Sequence, residues 1–428
     1  MTQCGATSRK PQPTQAYQAR NPKVTALYQT IQTHFEMWLE LASSGQFDGQ
    51  GDHHTPPRFV EQAFRKYLEC GVFANGFARA RCGDSGHDFL VAFSCKGRGV
   101  CLSCCARRMN ETAAHLVEHV FPVQPVRQWV LSVPKRLRYF MQLHATAFNC
   151  ALRLFLRAIR SALIERCKTS EGATTGEINK HQIGAVAFIH RFSSDITCKQ
   201  VSLLQQLRCG SSPNEHVHLH VCVVDGVFKP TDQGMQFYPS KPFSKDFIAQ
   251  VQQTVRRRLL RTFVKRGYID SGDAKTMQSY PHGGGFSVDA RVRIGQHDRQ
   301  GLERLLRYCA RPPFAGQRIR IEDEKVVYRC PKAPAGEQGG TSVGGKQERE
   351  IVLTPLEFIA RIAALVPPPR QHRHRYYGVL APNAPQRGQV TPQVIPAVTV
   401  AEGDSISPLT TSDLTVVTKA SRLQQTPS

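Results

Sequence analysis

Residues 216–224 read His216-Val217-His218-Leu219-His220-Val221-Cys222-Val223-Val224, an alternation that suits one kind of backbone. Side chains on a β-strand point alternately to opposite faces, so Val217, Leu219, Val221 and Val223 share an apolar face. That face can bury itself in a core. His216, His218 and His220 then fall together on the other face. Residues two apart on a strand lie about 6.5–7 Å apart at Cα, near enough for two imidazoles to meet on one cation. Three histidines on a solvated face are the other reading of the same pattern.

The chain has 428 residues and 14 cysteines. Nine of these are scattered, at Cys4, Cys70, Cys150, Cys167, Cys198, Cys209, Cys222, Cys309 and Cys330, and read as small core or surface residues. The other five lie between Cys82 and Cys105. No secretory stretch follows Met1, so a reducing cytoplasmic setting is expected, and there clustered cysteines are read first as metal ligands. Cys101-x-x-Cys104 has the spacing of a zinc knuckle, whose turn brings two thiolates to one side of a tetrahedron. Ser85 occupies the place where a second Cys-x-x-Cys starting at Cys82 would need its thiol. The expected zinc ligands are therefore Cys82, Cys95, Cys101 and Cys104, with His87 as the alternative to Cys95.

Lys and Arg number 56 against 33 acids, a formal charge of +23. A surplus of that size points to a polyanionic partner, most simply nucleic acid. No window approaches 18 uninterrupted apolar residues, so no membrane-spanning helix is expected.

The segment 302–311 has helical spacing. Arg304 lies four residues before Tyr308 and Arg311 three after it, which puts all three on one helical face. Guanidinium groups around a phenol favour its ionised form and can grip a phosphate. That arrangement suits a tyrosine nucleophile attacking a phosphodiester. Tyr308 packing on Arg stems is the structural alternative.

Along the chain, helices are expected over 22–41, from Pro56 onward, over 140–167, over 245–266 with Ser244 as N-cap and Gly267 as stop, and from Asp298 to Arg311. Strands are expected at 128–133, 185–192, 216–224 and 286–294. This order implies an α+β fold with a mainly antiparallel sheet and helices, preceded by an N-terminal helical and zinc-ribbon-like segment. The expected divisions are a flexible 1–20, a helical and zinc-binding 21–115, an α+β domain at 116–320, a C-terminal accessory segment at 321–387 and a disordered tail at 388–428.

Taken in order, these features resemble the HUH transposases of rolling-circle insertion sequences, the IS91-type and common-region elements. The likeness runs through 81–84, 95–99, 130–138, 216–227, 302–313, 353–358 and 366–375. The resemblance implies a transposase that nicks single-stranded DNA and transfers the strand through a 5′-phosphotyrosyl intermediate. It makes Tyr308 the nucleophile and His218 and His220 the pair holding Mg²⁺ or Mn²⁺. His216, His190 and Glu303 are candidates for the third ligand. Structural Zn²⁺ is implied for the cysteine segment, and Arg304, Arg307 and Arg311 are expected to hold DNA phosphates. The partners implied are single-stranded transposon ends and target DNA, with the protein cytoplasmic and nucleoid-associated. Arg304 stands where two-tyrosine members carry a second tyrosine, which matches the single-tyrosine branch. Residues 193–209 read as an insertion beside the histidine strand. A plasmid rolling-circle initiator or relaxase shares these features, as does a zinc-ribbon DNA-binding protein that has lost catalysis.

Overall fold

The computed structural model describes residues 21–44, 55–81, 86, 88–167, 180–190, 218–312, 314–329 and 350–392. His216, Cys82, His87 and the expected insertion at 193–209 lie outside these residues.

Thr25 opens the first helix. Its hydroxyl accepts from the Tyr28 N–H at 3.2 Å, and α1 (Ala26–Ser43) follows. The second helix, α2 (Arg58–Glu69), starts directly after Pro57, whose fixed φ suits a helix entrance. The two helices pack through a stack of rings in which Phe35 and Phe64 lie 4.8 Å apart. A hairpin of β1 (Phe77–Arg81) and β2 (Asp88–Ala92) then leads into α3 (Leu102–His119).

The chain continues through β3 (Val126–Ser132), α4 (Lys135–Leu143), α5 (Ala145–Arg166), β4 (Gly184–His190) and β5 (His218–Val224). After a second hairpin, β6 (Gly226–Thr231) and β7 (Gly234–Pro239), come α6 (Lys245–Lys265) and α7 (Ser271–Ser279). The cap expected for α6 is present: Ser244 accepts from the Phe247 N–H, and Gly267 takes φ 71° just past the helix end. Two short strands, β8 (Ser287–Asp289) and β9 (Arg293–Ile294), precede α8 (Arg299–Ala310), which Asp298 caps through the Gly301 N–H at 2.7 Å. The chain then forms β10 (Ile319–Glu322), β11 (Lys325–Arg329), β12 (Glu350–Leu353), α9 (Pro355–Leu365) and β13 (His374–Gly378).

The main sheet runs β13-β4-β5-β3-β8, with β9 also on β3, and every pairing is antiparallel. The histidine strand β5 sits at its middle, and helices cover both faces. Leu219, Val221 and Val223 pack with Trp129, Leu131 and Ala187 against α4, α5 and α6. The opposite face, with Val186, Phe188, Cys222 and Val224, packs against Ala113 and Leu116 of α3 and Leu302, Leu305 and Leu306 of α8. Arg299 at the start of α8 donates to the carbonyls of Phe121 and Pro122 at 3.0 Å, and to that of Val117. It thereby satisfies the open end of α3. The fold is α+β, as expected. No helix among the described residues is long and apolar enough to cross a membrane.

Several expected boundaries change. The helix expected over 140–167 instead begins at Lys135 and is broken at the extended His144 into α4 and α5. The single strand expected over 286–294 is broken, because the Asp289 carboxylate accepts from the Arg291 N–H at 2.8 Å and turns the chain between β8 and β9. The segment 321–387 is not one accessory unit. Tyr328, Leu353, Phe358 and Ile362 enter the core formed by α1 and α2, whereas β13 is the edge strand of the main sheet. Packing also continues past 388, since Val390 is buried beside Leu380. The rest of the expected tail lies outside the described residues.

At one end of the main sheet Asp225, 1 % exposed, takes both fork nitrogens of Arg127 at 2.8 and 2.9 Å. It also accepts from Arg293 Nε at 2.7 Å and Ser240 Oγ at 3.0 Å. Removing the carboxylate would leave the buried Arg127 charge unpaired. Asp225→Ala should therefore lower unfolding free energy by about 3–5 kcal/mol, read as a fall in the urea midpoint.

Candidate functional site

The hairpin β1–β2 closes at its base through Gly71 N–H to Phe93 O at 2.9 Å and Phe93 N–H to Gly76 O at 3.0 Å. This closure brings the end of α2 against the loop after β2 and the start of α3. Cys70, Cys95, Cys101 and Cys104 come together there, with all four sulfurs within 4.8 Å of one another. Cys70 Sγ lies 3.7 Å from the sulfurs of both Cys101 and Cys104, and Cys95 Sγ lies 3.6 Å from Cys104. A tetrahedron with Zn–S bonds of about 2.3 Å has edges of about 3.8 Å, so the sulfur spacing fits zinc. Backbone amides also point at the sulfurs. Cys95 N–H donates to Cys70 Sγ and Gly97 N–H to Cys95 Sγ, both at 3.3 Å, with Lys96 turning through φ 51° between them.

The sulfurs share their protons unevenly. Hydrogen bonding from Cys101 holds the Cys70 thiol far below its usual range and Cys104 at about 6. Cys95 is pushed up chiefly by Cys101, and Cys101 chiefly by Cys104. A divalent cation removes this competition because it lets all four ionise. The cluster is thus chemically suited to a structural zinc.

Cys95, Cys101 and Cys104 match the expected ligands, but the fourth sulfur comes from Cys70. From sequence alone Cys70 reads as an isolated cysteine, and Cys82 is the expected ligand. The reason lies in the hairpin. Closure of the β1–β2 hairpin through Gly71, Gly76 and Phe93 carries Cys70 from the end of α2 to Cys95, whereas Cys82 lies outside the described residues. Cys70 carries a weak local signal, a Cys-Gly step after a helical run, and the same dipeptide recurs at Cys82-Gly83. Cys105 stays out of the cluster, with its thiol buried near the carbonyls of Gly97 and Gly99.

The second group of residues is built by β5 and α8. His220 occupies the face of β5 that meets α8, and its Nδ1 lies 2.9 Å from Gln128 Nε2 on the neighbouring β3. Gln128 is 5 % exposed, and the same amide nitrogen donates to Cys309 Sγ at 3.3 Å. Cys222 and Cys309 sulfurs are 4.0 Å apart. The Cys222 thiol holds the buried Cys309 down to about 6 against the effect of burial, with His220 and Gln128 adding to it. One buried network therefore ties β3, β5 and α8 together directly beneath Tyr308.

Tyr308 itself faces outward and is 47 % exposed. Its ring centroid is 6.1 Å from that of His220, edge-on at 71°, and the Arg311 guanidinium lies over the ring at 4.5 Å. The other two expected phosphate-binding arginines are placed differently. Arg304 lies 4.0 Å from Asp298, and Arg307 pairs with Glu303 at 2.9 Å. His218 begins β5, with Ser132 on one side and His190 on the other as register partners. Gln128 and Cys309 carry no sequence signal, because only strand register and helix packing bring them to His220.

The zinc ligand set can be tested by substitution. Cys70→Ser should release most of the bound zinc, whereas Cys82→Ser should retain close to one zinc per chain. Elemental analysis of the purified variants reads both outcomes.

Comparison with known families agrees with this geometry. Residues 42–133 match the family described as "Transposase zinc-binding domain", of IS91 type, and this span contains all four clustered cysteines. Residues 201–387 match the Y2_Tnp family, described as "Putative transposase", and this span holds β5 and α8. No curated protein and no solved structure matched the chain. Both matches name transposases, and they cover in order the four-thiol cluster and the histidine–tyrosine pair: the chain belongs to the IS91-type transposase family.

Proposed function

We propose that this transposase nicks single-stranded DNA and transfers the strand through a covalent Tyr308 adduct. The observation that supports this most is the position of Tyr308, exposed at 6.1 Å from His220 on a helix whose inner face is locked under β5. In this reading the Tyr308 oxygen attacks phosphorus and forms a 5′-phosphotyrosyl bond. The P–O3′ bond breaks, and the departing oxygen takes a proton to become a free 3′-OH. Attack by a 3′-OH of another strand reverses the step, so joining needs no external energy source.

His218 and His220 are the proposed holders of Mg²⁺ or Mn²⁺, and imidazole nitrogen is a suitable donor for a transition-metal cation. Such a cation polarises the scissile phosphate and offsets the charge that builds during displacement. Gln128 has a positioning role. A half-turn of its amide puts Oε1 where Nε2 lies, so that Nδ1–H of His220 can donate to it, which fixes the tautomer and orientation of the ring. Of the candidate third ligands, His190 lies opposite His218 in register, and Glu303 is held by Arg307. Arg311 is the arginine best placed to meet a phosphate at Tyr308, and Arg304 and Arg307 line the same helix. Single-stranded element ends and target DNA are the proposed substrates. Arg304, in the place of a second tyrosine, supports the single-tyrosine branch.

A denaturing gel with labelled single-stranded oligonucleotide and Mn²⁺ tests the nucleophile. The parent should form a protein–DNA adduct. Tyr308→Phe should abolish the adduct and the nick while keeping DNA affinity within about twofold, since one hydroxyl makes few phosphate contacts. An undiminished adduct in Tyr308→Phe overturns the assignment. DNA binding without any adduct in the parent favours a protein that only binds.

The same assay titrated with Mn²⁺ tests the histidine site. His220→Ala should lose cleavage at every metal concentration. Gln128→Met should raise the half-saturating Mn²⁺ by about 10–100-fold and recover most of the rate at saturation. A fall in rate that saturating Mn²⁺ leaves untouched would mean that Gln128 is only a packing residue.

A further inference from the structure

The main sheet separates two surfaces of different character. Tyr308 and His220 belong to the side covered by α8, whereas α5 and α6 cover the other side. On that other side the C-terminal half of α6 exposes Arg257, Arg258, Arg261 and Lys265. At 1.5 Å per residue this run is about 12 Å long, which matches the rise along the duplex axis of three or four phosphates of one strand. None of these cations has an acidic partner among the described residues. The nearest acids along the chain are already engaged: Asp273 pairs with Arg136, and Asp270 accepts from the Asp273 N–H.

Helix α5 extends the same charge. Thr146 and Tyr268 hydroxyls meet at 2.8 Å at one end of the pair, and Arg166 lies over the Phe247 ring at the other, so α5 and α6 run antiparallel. Arg153 and Arg261 each lie seven residues from the Thr146–Tyr268 contact, and Arg157 and Arg257 eleven. Both α5 arginines are exposed, so two pairs of cations stand at matching levels along the helix pair.

We propose that this double row on α5 and α6 docks the phosphate backbone of duplex DNA on the side of the sheet away from Tyr308. A duplex fits better than a single strand because this stretch of α6 exposes only cations and offers no aromatic ring for unpaired bases to stack on. The duplex flanking a nicked single strand would be held there, giving affinity without touching the reacting phosphate. The surface goes beyond the nicking reading, since it requires DNA as a partner but not Tyr308 as the nucleophile.

The test compares the parent with the triple variant Arg257→Gln, Arg258→Gln, Arg261→Gln, using fluorescence anisotropy. The probes are a labelled duplex several helical turns long and, separately, a labelled single strand of the same sequence. The triple variant should lose at least about tenfold in duplex affinity at physiological salt. Its plot of log affinity against log salt should be shallower by about 2–3, matching three lost phosphate contacts. Single-strand affinity, the thermal midpoint and nicking of a short saturating oligonucleotide should be unchanged, and lysine at all three positions should restore duplex binding. Unchanged duplex affinity and slope would overturn the surface, and an equal loss for the single strand would overturn its assignment to duplex. Absence of nicking in the parent would count against Tyr308 alone, because the duplex titration reads independently of it.

Discussion

The pairing of β5 between β3 and β4, under helices on both faces, is the constraint on which the rest of the molecule depends. A strand buried on both faces can keep a polar side chain only where that group finds a partner. His220 meets this condition through Gln128, and Cys222 through Cys309. The same contacts fix α8 against the sheet and thereby set where Tyr308 emerges at the surface. A slip of one residue in β5 would exchange its two faces and move His220 into the core beneath α5.

A second dependency runs through α3. Its first turn carries Cys104, beside the Cys101 that precedes it, and its later turns, with Ala113 and Leu116, pack against α8. Arg299 then binds the carbonyls at the end of α3. One rigid helix therefore joins the four-thiol centre to the helix bearing Tyr308. The two regions share an element, so zinc at the cysteines bears on the frame of the side that carries Tyr308 as well as on the N-terminal segment. The α+β architecture follows from this shared wall, with one core on each face of the sheet and a third formed by α1, α2, α9 and β10–β12.

Much of the candidate site was legible because its signals are local. The alternation in 218–224 predicted a strand with an apolar face, and Leu219, Val221 and Val223 are buried on one side of the sheet. Ser244 and Asp298 marked helix starts, since a side-chain oxygen that caps a helix needs only the next turn. Cys101 and Cys104 were legible from a two-residue spacing. Arg304 and Arg307 were less so. Helical spacing set their face, but the rotamer of a long side chain depends on which carboxylate lies nearest, here Asp298 and Glu303.

By itself the sequence determined the periodicities, the caps, the two-cysteine knuckle, the surplus of positive charge and the order of motifs that marks the family. Each of these depends on neighbours within one or two turns or on the composition of the whole chain. Tertiary structure decided that Cys70 joins the thiol cluster, because only closure of the β1–β2 hairpin brings the end of α2 to Cys95. It also set Gln128 against His220 and Cys309, through strand register and the packing of α8. Finally, it sent the described parts of 321–387 to two different places, because Phe358 and Ile362 found their apolar partners on α1 and α2 while β13 found an unpaired edge on β4. Contacts between residues distant in sequence are selected by shape and burial in the assembled core, and no local pattern encodes them.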